Sequence, residues 1–243
     1  MVLDCRAQTI INAEKCFEPT DTTFFTLSVD YEGNRGNSML DELDAASAYG
    51  ISFKRNVFKL IGGYSTLIED KSTILNGGYL QLRHNYSLND ALLRSFIFYQ
   101  IQFNDVLLLS RRELLGLGLR GHILAKGDDF LDIGTGVMYE LEQLDDALLE
   151  PSEETTSKLA RMTNLLSGHL TLSERINITN VIYYQPDIKR FTDFRILNDF
   201  AVSFEIAKKL SVEMILVYRY DNEPPSALKQ TDLNMGTGLV INL

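Results

Sequence analysis

The sequence predicts an all-β fold, a transmembrane antiparallel up-and-down β-barrel of about twelve strands. Three observations carry this: period-two alternation in segment after segment, connections sorted by length, and a second face charged with both signs. Successive side chains of a strand point to opposite faces, so alternation means that each strand separates two environments.

At 243 residues the chain suits one large domain, and no linker-like stretch divides it. Its mean hydropathy of -0.06 lies far below that of a helical membrane protein. No apolar run approaches the roughly 18 residues that a spanning helix needs. That leaves a soluble all-β domain or a barrel in lipid. The net charge of -10 argues against nucleic acid as a partner.

The strands follow in order. Phe25, Leu27, Val29 and Tyr31 oppose Thr26, Ser28, Asp30 and Glu32; Tyr49, Ile51 and Phe53 oppose Gly50, Ser52 and Lys54. Phe58, Leu60 and Tyr64 oppose Lys59, Gly63 and Ser65, and Leu80, Leu82, Tyr86 and Leu88 oppose Gln81, Arg83, Asn85 and Ser87. Ile97 to Phe103 faces Phe98 to Asn104, and Leu115, Leu117, Leu119 and Ile123 face Gly116, Gly118, Arg120 and His122. Leu131, Ile133, Val137 and Tyr139 oppose Asp132, Gly134, Gly136 and Glu140, while Leu166, Leu170 and Leu172 oppose Ser167, His169 and Thr171. Ile178 to Tyr184 is apolar on both faces, so its phase is ambiguous. Phe200, Val202, Phe204 and Ile206 then oppose Asp199, Ser203 and Glu205; Val212 to Tyr220 opposes Glu213 and Arg219; Leu233, Met235, Leu239 and Ile241 oppose Asp232, Asn234, Gly236 and Gly238.

Connections after even-numbered strands are tight and polar, as at Lys54–Asn56 and Ser173–Arg175. Those after odd-numbered strands are mostly longer, as at Asn104–Glu113, Gln143–Ser157, Gln185–Phe194 and Asn222–Gln230. Short turns on one rim and long loops on the other is the outer-membrane pattern, with the termini and short turns periplasmic and the long loops extracellular. Aromatic residues near strand ends match interfacial girdles, although the chain has no Trp. The opposite face is too polar for a dry core. A soluble barrel with an apolar interior is the competing reading.

Residues 1–8 read as a remnant of a secretion signal ending near Ala7, residues 9–21 as a periplasmic segment, and residues 22–243 as the barrel. Cys5 and Cys16 fit a single bridge and two idle thiols equally well.

Several stretches stand out in order along the chain: Ala7-Gln8 with Ile10 to Glu14, Gly36-Asn37-Ser38, Gln81 to Tyr86, and Leu115 to Arg120. Tyr184-Gln185-Pro186, Asp193-Phe194-Arg195, Tyr218 to Pro225 and Thr231-Asp232 complete the series. Together they resemble a family of Gram-negative outer-membrane barrels, domain of unknown function 481. The resemblance implies a barrel in the outer membrane and no established activity. Such proteins commonly end on an aromatic residue read by the barrel-assembly machinery, whereas this chain ends Ile241-Asn242-Leu243.

Phe130 to Gly136 looks like a nucleotide loop, but such a loop must leave a parallel strand and open a helix, and alternation here continues to Glu142. No cofactor or metal is expected. A lipid-modifying hydrolase would need a Ser–His pair on the lipid face; His84 and Ser95 are the candidates, and no acidic orienter is evident. The expected lumen lining is Lys59, Arg83, Arg120, His122, Asp132, Glu140, His169, Arg195, Glu205, Glu213 and Arg219. There Arg83, Arg120, Arg195 and Arg219 either pair with Asp132, Glu140, Glu205 and Glu213 or line a narrow, porin-like solute channel. Asp145, Asp146, Glu150, Glu153 and Glu154 make the outer loops acidic, a solvated face with the option of holding cations that bridge lipopolysaccharide. The expected function is a structural or channel-forming barrel among outer-membrane lipids and lipopolysaccharide. The alternatives are the hydrolase and an accessory barrel docking to another envelope protein.

Overall fold

Alternating segments rich in aromatic and branched residues build twelve strands. They are β1 (Thr23–Asn34), β2 (Leu40–Phe53), β3 (Asn56–Glu69), β4 (Ser72–Asn89), β5 (Leu93–Asn104), β6 (Leu109–Lys126), β7 (Asp129–Leu144), β8 (Thr156–Ser173), β9 (Ile176–Pro186), β10 (Phe194–Ala207), β11 (Leu210–Asp221) and β12 (Thr231–Ile241). The structure is a computed structural model that describes residues 23–34, 40–69, 72–89, 92–127, 129–207 and 210–241. The signal remnant, the segment 9–21 with Cys5 and Cys16, and Asn242-Leu243 lie outside the described residues.

Each strand pairs antiparallel with its sequence neighbour, giving one up-and-down sheet in the order β1 to β12. The sheet is strongly curled, as a barrel wall is. In β10, Arg195 Nη1 lies 2.9 Å from Glu140 of β7, three strands away, and Tyr183 of β9 is within electrostatic reach of Arg83 on β4. At about 4.8 Å per strand a flat sheet would hold these pairs roughly 14 and 24 Å apart.

The strand bounds leave two or three residues after every even-numbered strand and four to eleven after the odd-numbered ones. The exception is β3, followed by two residues, because β4 runs for 18 residues and absorbs what would be loop. The short β6–β7 turn is made possible by Gly127, whose φ of 63° is left-handed. The polarity of the faces is inverted relative to a soluble barrel. Leu115, Leu117 and Ile133 point outward and are more than half exposed, whereas Asp132, Arg161 and Glu140 point inward and are at most 1% exposed. No helix among the described residues is long and apolar enough to cross a membrane.

The phase of β9, ambiguous in the sequence, is settled by packing: Val181, Tyr183 and Gln185 are buried inside, and Asn180, Ile182 and Tyr184 face outward. The interior is also less polar than its sequence pattern suggests. Phe96, Phe98, Leu114, Met138, Leu165, Val181, Tyr183, Leu197, Ala201, Ile215 and Val217 form one cluster across β5 to β11. Glycines make room for it. A Cβ on Gly116 would overlap the Phe98 ring, and Gly118 and Gly136 stand directly opposite each other, each too close to the neighbouring backbone to carry a side chain.

The close approach at Gly136 has a measurable consequence. A Gly136→Val substitution forces β6 and β7 apart and lowers stability by about 1–3 kcal/mol in urea unfolding followed by tyrosine fluorescence. At Gly236 a Cβ meets nothing within 4 Å, so Gly236→Ala leaves the urea midpoint within experimental error.

Candidate functional site

The interior at the long-loop rim is an ion-pair network drawn from β6, β7, β8, β10, β11 and one loop. Glu140, inward on β7, accepts from Arg195 Nη1 at 2.9 and 3.1 Å and lies 3.6 Å from Arg161 Nε. Glu142, the next inward residue, accepts from Arg112 Nε at 2.7 Å and faces Arg195 Nη2 at 3.4 Å. Arg195 Nε donates to Asp221 Oδ2 at 2.7 Å, and Arg161 Nη1 donates to Asp193 Oδ1 at 2.9 Å. At the solvent edge Arg190 reaches Asp193 at 3.4 Å and Glu223 at 2.6 Å. Guanidinium planes suit this role because each presents several fixed donors to several carboxylates at once.

Beneath the network lies the apolar cluster, with an amide chain beside it: Gln81 Nε2 donates to Gln100 Oε1 at 2.7 Å, and Gln100 donates in turn to Gln102. Nearer the short-turn rim, Asp132 is fully buried and accepts from Arg120 Nε at 2.6 Å while holding the His122 ring through Nδ1. His169 bonds Thr179 Oγ1 at 3.2 Å and stacks on Phe130 at 6.0 Å.

Of the expected lumen residues, Lys59, Arg83, Asp132, Glu140, Arg195 and Arg219 are buried on the inward face, and Arg120, His122, His169, Glu205 and Glu213 are half-buried there. Two of the anticipated charge pairings are present, Arg120–Asp132 and Arg195–Glu140. Arg219 instead meets Asp232 at 3.4 Å, and Arg83 lies against Asn85 and over the Phe96 ring. No ion pair joins Glu205 or Glu213 to an arginine among the described residues. Across the β10–β11 pair they face Ser211 and Ser203, and on the other side of β10 Glu205 meets Arg175 through the backbone, its N–H donating to Arg175 O at 2.8 Å.

Sequence reasoning missed Arg112, Arg161, Asp193 and Asp221 as interior groups. Arg112 falls in a stretch read as loop, and Arg161 in one whose two faces are both mixed. Continuing the parity of His169 and Ser167 backward through Leu165 and Thr163 lands on Arg161 and would have found it.

The other candidates resolve simply. His84 Nε2 bonds Asn56 Oδ1 at 2.9 Å and its ring stacks on Phe58, on the side of β3. Ser95 lies on β5, on the opposite side of β4, and pairs with Tyr86 rather than with His84. Phe130 to Gly136 runs inside β7 between two antiparallel neighbours, where no helix follows. Among the described residues no three His, Cys, Asp or Glu side chains converge on a metal position.

The long loops fasten to one another. Glu153 accepts from the Ser226 backbone N–H at 2.7 Å and from its hydroxyl at 2.8 Å, while Asn222 Nδ2 donates to Thr192 O at 2.7 Å. The backbone N–H of Ser226, then that of Glu150, which donates to Glu153 at 2.9 Å, and the Ser226 hydroxyl hold the Glu153 carboxyl below its ordinary range.

Two outcomes follow for measurement. Replacing Arg195 by Met strips Asp221 of its arginine and leaves Glu140 and Glu142 with one each, lowering stability by about 3–5 kcal/mol, and adding Glu140→Leu costs less than the sum of the single changes in a double-mutant cycle. Because the folded Glu153 carboxyl is held low, its clasp to Ser226 is complete above the usual carboxylate range and is lost as pH falls through the depressed value. Amide exchange at Ser226, corrected for intrinsic rate, should rise on acidification, and Glu153→Gln should give the fast rate at neutral pH.

Comparison with known proteins agrees with this architecture. A solved structure titled "NanC porin structure in rhombohedral crystal form" aligns over 89% of this chain and 100% of its own, with a TM-score of 0.53 and 9% identity, a likeness of fold alone. No curated protein matches. The family model described as "Protein of unknown function, DUF481" matches residues 27–243, and the chain belongs to that family.

Proposed function

We propose that this protein is an outer-membrane β-barrel closed at rest by its own side chains, a membrane-embedded structural element rather than an open diffusion pore. The observation that carries the reading is the Glu140–Arg161–Arg195 network, buried at the long-loop rim directly above the apolar cluster. Ions and solutes crossing the barrel on the β5–β11 side would have to break paired, desolvated charges and then pass a dry layer. Inverted polarity and sorted loops support a position across the outer membrane, with short turns periplasmic and long loops extracellular. Its surroundings would then be outer-membrane lipid and lipopolysaccharide, reached through the barrel-assembly machinery. The clasped outer loops offer a fixed surface to another envelope protein.

A second reading, a narrow solute channel, is favoured by Gly63 and Ser65, small inward residues of β3 that are half-exposed. The porin-titled neighbour points the same way. Conductance separates the two. In planar bilayers the refolded protein should show no steady current, and the pair Glu140→Ala with Arg195→Ala should produce frequent openings. A steady ohmic conductance from the unaltered protein would establish the channel reading instead.

A further inference from the structure

The outward face is apolar along most of each strand, but on β7 to β10 two separate pairs of outward side chains are polar, Thr135 with Asn164 and Asn180 with Asn198, four register positions apart because Asn164 stands opposite Tyr184 and Asn180 opposite Gly168. Their depth is set by aromatic residues. Phe194, whose ring lies 5.6 Å from both Tyr184 and Tyr220, marks the belt near the long-loop rim. Asn198 follows it by four residues, or roughly 10 Å below the belt for a tilted strand. Phe204 lies six residues further on. Asn198 and, beside it, Asn180 therefore stand inside the band that lipid chains would cover.

Two of these side chains are satisfied and two are not. Thr135 Oγ1 donates to Asn164 Oδ1 at 2.9 Å, and Asn164 Nδ2 donates to Tyr184 O at 3.3 Å. Asn198 Nδ2 donates to Asn180 Oδ1 at 2.8 Å. That single bond leaves the Asn198 carbonyl oxygen and the Asn180 amide hydrogens without a partner among the described residues. Hydrocarbon offers neither donor nor acceptor, so amide groups left open at this depth are strongly disfavoured.

We propose that the outward face of β8 to β10 is the contact between two copies of this chain in the membrane, an inference that rests on the membrane reading above. The open groups are self-complementary: a two-fold axis beside the pair brings the Asn198 oxygen of one copy to the Asn180 amide of the other, and the reverse. The surrounding Ile182, Ile196 and Phe200 supply apolar contact around the bonds. Three strands across a band about 25 Å tall give on the order of 500 Å² per copy, close to the least that a specific pair requires.

The test uses the full chain in native membranes, with Cys5→Ser and Cys16→Ser to remove competing thiols. Ile182→Cys, directly opposite Asn198 in the β9–β10 register, should yield a disulfide-linked dimer on oxidation, and Leu60→Cys on β3 should not. In detergent micelles, Asn180→Leu with Asn198→Leu should weaken self-association about tenfold by sedimentation equilibrium while keeping heat-modifiable gel mobility, the sign of an intact barrel. Equal cross-linking from both positions, a monomer retaining a tightly bound lipid, or capture of a different protein by Ile182→Cys overturns the proposal. Fractionation of the same sample separates the two readings: a protein found outside the outer membrane overturns the membrane reading and this one with it, whereas an outer-membrane monomer overturns only the dimer.

Discussion

Glu140 is 1% exposed and stands between Arg195 and Arg161, and much of the barrel interior is arranged around that fact. A carboxylate withdrawn from water needs nearby positive charge and donors to stay ionised. Meeting the need draws β10 toward β7, because Arg195 reaches across the curled sheet, whereas Arg161 comes from the adjacent strand β8. The same arginines carry further carboxylates, Asp193 in the loop before β10 and Asp221 at the end of β11. Loop and strand ends are thereby tied to the wall, and the curl of this part of the sheet is fixed by charge as much as by backbone pairing.

Below that layer the constraint is volume. Phe96 and Phe98 project inward from β5, and Gly116 and Gly118 on β6 leave room for their rings. The two tiers reinforce one another, since excluding water from the apolar cluster strengthens the ion pairs above it. An interior built this way transmits a change at the loops inward: Asp193 connects the exposed Arg190 and Glu223 to buried Arg161.

The outer surface obeys the opposite rule. Where strands face lipid, apolar side chains need no partners, and the few polar ones are conspicuous because the medium cannot satisfy them. Inside, polar groups abound and are mostly paired; outside, the Asn180–Asn198 pair is half-finished. Paired interior charges, clasped loops and an incomplete polar patch together direct attention to contacts made by the walls and loops.

Strand number, strand order and the inward or outward face of most residues were legible in the sequence, because period-two alternation is a local property. Lys59, Arg83, Asp132 and Glu140 could be assigned to the inner face without any structure for that reason. Alternation failed where both faces are alike, as in Ile178 to Tyr184 and around Arg161, since a period carries no phase when it has no contrast. Partner choice was a different matter. That Arg195 binds Glu140 three strands away, while no ion pair joins Glu205 or Glu213 to an arginine among the described residues, depends on curvature and register, which arise only when all the strands pair. The sequence by itself determined an up-and-down sheet with inverted faces; the tertiary structure alone decided which charges meet and that an apolar cluster packs beneath them, because both depend on distances across the curled sheet rather than along the chain.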